Sequence, residues 1–190
     1  MAGCSDIELG SEVDCDLIPP AGTRPVAILW NRDDVESYEE TDGVITDVVL
    51  KAGKFAYKFT GLAQAFKSSQ DFQRSATTGR GQWKHKGTIV IYERTQEQKN
   101  NLKKFGNSRV AGAFFLVGED DDSIVLAGKE VGIELVAGEI QNAQANDGFF
   151  ILNLSTPDGD IENESGPMPS IFDTDQETTE AMLNALLAGS

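Results

Sequence analysis

The chain of 190 residues carries 31 acidic against 16 basic side chains, a net charge of −15, and is 39% hydrophobic with 19 Gly and 6 Pro; this excludes disordered, collagen-like and membrane-embedded classes and predicts an ordinary folded protein. One His and two Cys in the whole sequence exclude multi-histidine metal centres and zinc ribbons and leave little from which to build a nucleophilic triad, so composition argues against an enzyme. The longest run of apolar or small residues, Ala111 to Gly118, falls far short of the ~20 residues of a membrane span, and acids stand where a signal peptide has basic and apolar residues, which predicts a protein that starts in the cytoplasm.

In chain order, residues 1–24 mix acids with Gly, Ser and the pair Pro19-Pro20, sustain no period over their length, and read as an acidic arm. Cys4 has no hydrophobic region before it, so a lipid anchor is not supported, and Cys15 reads as a reduced thiol. A β-rich core is expected over 25–172. Val26, Ile28 and Trp30 alternate with Ala27 and Leu29, a polar loop follows, and Val44 to Leu50 is a second β-branched run. After a turn at Ala52-Gly53, period two in Lys54 to Phe59 places Phe55, Tyr57 and Phe59 on a core face and Lys54, Ala56 and Lys58 on a wet one. Residues 61–75 read as weakly helical or looped, Ser75 to Gly81 as a basic loop, and Gln82 to Glu93 as a long strand, the pair suggesting an extended hairpin.

Thr95 and Gln98 have the spacing of a capping box and Gly106 ends the polar run, which predicts a short helix over 96–105 with Leu102 and Phe105 as its apolar contacts. Four strands, 110–117, 123–127, 131–136 and 148–154, separated by acid-, Gly- and Asn-rich turns, then read as an antiparallel meander, and 155–172 as a loop. A second capping box, Thr174 with Glu177, opens a C-terminal helix over 173–190 whose apolar side is Met182, Leu183, Leu186 and Leu187. The expected fold class is mainly β (α+β): an antiparallel β-sandwich or barrel-like core with one short internal helix and a C-terminal helix.

Little catalytic or ligand chemistry rises from the motifs. Gly79 to Lys84 does not match a phosphate-binding loop. His85, flanked by Lys84 and Lys86 with no second His, reads as a surface or packing residue rather than a general base. Two acid clusters, Glu119 to Asp122 and the alternating Asp158, Asp160, Glu162 and Glu164, have oxygen ligands for a hard cation but match no EF-hand, and solvated turn acids account for them more simply. No metal, cofactor or catalytic residue is assigned. The basic middle, with aromatics interleaved at 54–59 and 83–92, is a nucleic-acid candidate, but period two turns those rings into the core.

Charge is segregated. Residues 1–50 hold 12 acids and 2 bases, 51–112 hold 3 and 13, and 113–190 hold 16 and 1. Either this is a solubility surface whose parts differ, or the basic face of one subunit meets an acidic face of the next. The candidate assembly contacts are Arg80, Lys84, Lys86, Lys99, Lys103 and Lys104 on the basic side and Glu119, Asp120, Asp121 and Asp122 on the acidic side.

The order of elements over about 44–170 resembles the tail tube proteins of tailed bacteriophages. The resemblance is carried by the strand Phe55 to Phe59 running into Gly61-Leu62-Ala63-Gln64-Ala65-Phe66, by Gly87 to Tyr92 and the short helix before Gly106, and by the strings Ala113 to Gly118, Ile124 to Gly128, Val131 to Glu134 and Asn146 to Leu154. It implies a virion structural protein whose subunits close into rings, six to a ring. The rings stack into a DNA-conducting tube, with residues 75–86 as the inter-ring element and an acidic lumen that repels phosphate. Implied partners are further copies of itself, other tail or connector proteins, and DNA passing without specific binding; the implied location is the virion tail, assembled in the host cytoplasm. The acidic arm and the helix after residue 174 do not align to the family pattern. A head-to-tail connector, a capsid-decorating protein, a β-sandwich adhesin, a nucleic-acid-binding β-barrel and an enzyme with a carboxylate site remain alternatives.

Overall fold

The computed structural model describes residues 22–62, 65–74, 79, 81–92, 95–117, 123–140, 150–157 and 164–187. In chain order they form β1 (Thr23–Asn31), a 3-10 turn (Arg32–Asp34), β2 (Val35–Thr41), β3 (Val44–Leu50), β4 (Tyr57–Thr60), β5 (Lys67–Arg74), β6 (Gly81–Ile91), α1 (Gln96–Phe105), β7 (Val110–Leu116), β8 (Ile124–Ala127), β9 (Glu134–Ile140), β10 (Phe150–Ser155) and α2 (Gln176–Ala185). The protein is mainly β, with antiparallel sheets and two helices, as its sequence predicts. No helix among the described residues is long and apolar enough to cross a membrane.

There are two four-stranded sheets, β4-β1-β7-β8 and β5-β6-β10-β9, and a separate two-stranded sheet of β2 and β3. The first of these is central and buried on both faces. Its Ala27, Leu29, Val110 and Phe114 pack with Ile89, Leu152 and Leu154 of the second sheet in one core. Its Ile28, Trp30, Ala113 and Phe115 pack with Ile45 and Val48 of β3 and Leu183 of α2 in another. Two cores explain why β1 and β7 read as nearly continuous apolar runs, since a strand covered on both sides has no wet positions to alternate with. Removing each large buried side chain from water contributes about 1.5–3 kcal/mol, so this sheet holds the layers together.

The contact between the large sheets is close. Gly87 lies mid-strand in β6, between Ser68 of β5 and Leu154 of β10, and a Cβ there would stand 2.5 Å from the Phe114 ring of the central sheet. Glycine is needed for that approach because any side chain would occupy the ring's place.

Several elements differ from their expectation. Residues 35–41, read as a polar loop, are β2, joined to β3 through Asp42 (φ 52°) and Gly43 (φ 84°); two successive positive φ values make the tight turn that Asp-Gly favours. Residues 67–74, read as helix or loop, are β5, paired with β6 from Lys67↔Thr88 to Arg74↔Gly81, which is the extended hairpin expected. The faces of 54–59 are partly reversed: Phe55 and Tyr57 are 47% and 58% exposed and Ala56 is buried. The cause is the C-terminal segment, because the Ala56 N–H donates to the Leu186 carbonyl at 2.8 Å and Ala56 bridges Leu187, which covers that face and leaves the rings outside. Phe59 does turn inward, against α1.

The expected meander is split between sheets: β7 and β8 belong to the central sheet, while β9, beginning at Glu134 rather than Val131, and β10 belong to the other, where β10 pairs with β6. In the expected loop 155–172, bridges pin Glu164 to Trp83, Ser170 to Val125 and Ile171 to Ile45. Helix α1 spans the predicted residues, with Leu102 and Phe105 against the core. In α2 the cap is Asp175, not Thr174: its carboxylate accepts the Thr178 N–H at 2.7 Å and is held below its usual pKa by that bond. The expected apolar side is formed, with Leu183 fully buried and Met182, Leu186 and Leu187 packed beside it.

Candidate assembly surface

The structure divides the expected basic residues between two elements. Lys84 and Lys86 lie on β6, flanking the inward-pointing His85, and Lys86 pairs with Asp71 of β5. Residues 81–86 are therefore strand, and only residues before Gly81 remain for the inter-ring loop that the family resemblance implies. Lys99, Lys103 and Lys104 lie exposed on α1, whose only acid is Glu97. Arg80 and the acids Glu119, Asp120, Asp121 and Asp122 fall outside the described residues.

A different acidic surface is present instead. The hairpin β2–β3 contains Glu36, Glu39, Glu40, Asp42 and Asp47 and no basic residue, and the first four are exposed. Glu40 pairs with Lys129. The position of the hairpin matters most. Ile45 and Val48 anchor it in the core on one face of the central sheet, whereas Leu102 and Phe105 anchor α1 in the core on the other face. Acidic hairpin and basic helix thus stand on opposite sides of the molecule. The sequence signal for this surface was the acid-rich run ending in Asp42-Gly43.

The remaining acid candidate within the described residues, Glu164, has its oxygens occupied. Its two carboxylate oxygens accept the N–H groups of Glu130 at 2.9 Å and Val131 at 3.0 Å, and Glu130 in turn accepts the Ser165 N–H at 2.9 Å. His85 sits beside this clasp, 1% exposed. Its Nε2–H donates to the Gly166 carbonyl at 3.0 Å and its Nδ1 accepts the Gly128 N–H at 3.2 Å, which fixes a neutral imidazole in one tautomer. Burial holds its pKa below 6.5, against the pull of the Glu164 and Glu130 charges. His85 therefore ties β6 to the turn at 128–132 and the segment 164–171, a packing role with both ring nitrogens engaged. Among the described residues no group of three or more His, Cys, Asp or Glu is placed to hold a metal ion.

Strand edges and a cleft complete the surface. Strand β5 ends its sheet with most of its residues exposed, Phe72 among them at 55%, its ring edge-on to Trp83. Strand β4 ends the central sheet, with β1 as its one partner among the described strands, and just before it the Ala56 N–H bonds the Leu186 carbonyl. Between β4 and α1 opens a cleft of about 460 Å³. Tyr57, Lys58 and Phe59 all line it, although successive strand residues point to opposite faces, so the cleft meets the edge of the strand. Its floor is apolar, with Leu29, Ile91 and Leu152, and its charged residues are Lys58 and Lys104. The chain matches no family model, no curated protein and no solved structure.

Proposed function

We propose that the chain is a non-enzymatic virion structural protein of the tail tube kind, which assembles head to tail into rings and stacked rings. The observation that carries the reading is the opposition of the acidic β2–β3 hairpin and the basic α1 across the central sheet. Opposite charges on opposite faces are what a heterologous contact needs to propagate and to fix its register, because each interface pairs one face with the other and leaves both available at the ends. The outer edges of β4 and β5, which no other described strand pairs, add to this, since closing a ring is one way to cover edges that otherwise invite uncontrolled pairing. The order of elements supplies the family resemblance and the segregated charge fits it; the oligomer, its ring number and its place in a phage tail rest on that resemblance.

Negative-stain electron microscopy over a range of protein and salt concentrations tests it. Rings or hollow tubes of uniform diameter are expected, lost when Lys84, Lys86, Lys99, Lys103 and Lys104 are neutralised together; tubes that form normally in that variant refute the electrostatic account. A second reading, a nucleic-acid-binding β-protein, gains from one finding: Phe55 and Tyr57 are exposed beside Lys54 and Lys58, the combination on which single strands stack. Salt-dependent binding of short oligonucleotides by a protein that stays monomeric would favour it over assembly.

A further inference from the structure

The cleft between β4 and α1 has a shape and chemistry that assembly does not call for. Leu29, Ile91 and Leu152 form its floor and are at most 9% exposed. Side chains so well covered still border about 460 Å³ of open space, so the cleft is a recess in the core and not a dent in the surface. Phe59 of β4 and Phe105 of α1 meet edge-on at 6.3 Å between ring centroids and join its two walls. Protein interiors are close-packed, and a gap of this size forfeits contacts for every side chain that lines it. Apolar recesses of about 300–1,000 Å³ with a few polar groups at the rim are the form that small-molecule sites take.

We infer that the cleft binds a small anionic amphiphile of the medium-chain carboxylate kind, its chain against Leu29, Ile91 and Leu152 and its head at Lys104. Volume sets the length of the chain. At about 30 Å³ per heavy atom, the share that a water molecule takes in the liquid, the space holds roughly fifteen such atoms, which a carboxylate of about ten to twelve carbons supplies. Charge sets the head, because the charged lining residues are Lys58 and Lys104 and no Asp or Glu stands among them. Lys58 donates to the Asn184 side chain at 3.3 Å, which turns its ammonium toward α2 and leaves Lys104, exposed on α1, to meet the ligand. The one acid bonded to the rim is Asp34, which accepts from Asn31 at 2.9 Å, and Lys54 compensates its charge at 2.9 Å. Burial of the chain supplies the affinity and the lysine selects the sign of the head. The inference goes beyond the assembly reading and holds for a monomer and a ring alike.

The test is isothermal titration of the full chain, at low ionic strength, with octanoate, decanoate and dodecanoate below their micelle concentrations and with decanol as the uncharged comparator. One carboxylate per chain is expected, with affinity rising about fourfold for each added methylene. Lys104→Glu should weaken decanoate about tenfold and leave decanol unchanged, whereas Lys99→Glu, the same reversal at an α1 residue that does not line the cleft, should change decanoate by no more than about twofold. Leu102→Trp fills the space from the helix side and should abolish binding, with the urea midpoint of that variant reporting that it is folded. Lys104 is exposed, so its variant keeps the test decisive even where Leu102→Trp does not fold. No saturable binding of any carboxylate, or full binding by a folded Leu102→Trp protein, overturns the site. Binding that decanol matches, or that Lys104→Glu and Lys99→Glu weaken equally, overturns the anionic head at Lys104 and with it the inference.

Discussion

Gly87→Ala adds one methyl group where the two large sheets approach most closely. A Cβ at this position would lie 2.5 Å from Phe114 Cζ and 3.1–3.2 Å from both Cε atoms, inside any allowed separation. The ring belongs to a side chain that is fully buried between the sheets, so it has no solvent to swing into, and Gly87 itself is held on both sides by β5 and β10. Overpacking of this kind costs about 1–3 kcal/mol. Replacing a mid-strand glycine by alanine returns about 0.5–1 kcal/mol through lower chain entropy. The expected net loss is at most about 2.5 kcal/mol and centred near 1 kcal/mol, read as a lowered midpoint in urea at unchanged slope. In a Phe114→Leu background the methyl group has room, so the same substitution should become neutral or stabilising, with a coupling of about 1 kcal/mol or more in the double-mutant cycle. Additive effects in the cycle would refute the contact.

Because burial depresses the pKa of His85, its unfolded form binds the proton more readily; stability should be constant above about pH 6.5 and fall as pH drops below it, and His85→Gln should be less stable overall but flatter in that window, as urea titrations between pH 5 and 8 will show. Asp34, held low by hydrogen bonds from Asn31 and Lys54, loses its contribution only in the carboxylate range near pH 3.8 and below, so the two windows separate. Glu164→Ala leaves the amides of Glu130 and Val131 without their acceptor and should cost about 2–4 kcal/mol, with Glu164→Gln milder because one oxygen remains; equal, small losses in calorimetry would mean that water replaces the carboxylate. Reversing Lys99, Lys103 and Lys104 to Glu should abolish assembly of that variant alone, while a mixture with a Glu36→Lys, Glu39→Lys variant should show partial recovery in light scattering if the two faces meet each other.

What the sequence revealed follows from where each element is buried. Strands β1, β6, β7 and β8 carry enough apolar residues to declare themselves, helix α1 was legible from its capping spacing and the Gly106 stop around a polar run, and Leu183 marked the inner side of α2 before any partner was known. Strands β2 and β5 did not, because a strand announces itself through a buried face, and these two have almost none: in β5 seven of eight residues are exposed. Their hydrogen bonds come from β3 and β6, which no local pattern encodes. Phe55 and Tyr57 misled for a related reason. Alternation says only that two faces differ, and the C-terminal segment at Leu186–Leu187 decided which was covered. The lysines of α1 were legible as candidates; their opposition to the β2–β3 acids was not, since it depends on which face of the central sheet each element packs against.

That opposition also bears on what the charges act upon. Packed sheets lie about 10 Å apart, so the acidic hairpin on one side of the central sheet and the helix on the other are separated by roughly 20 Å. The screening length at physiological ionic strength is about 8 Å. Attraction between Glu36 or Glu39 and the α1 lysines within one molecule is therefore almost fully screened and contributes little to its own stability. The same groups brought to within a few Å across an interface would interact appreciably. A surface arranged in this way makes assembly far more sensitive to salt than folding is, so raising ionic strength should dissolve the particles at concentrations that leave the unfolding midpoint of the subunit unchanged. Parallel losses of assembly and fold would place the decisive charges within the subunit instead.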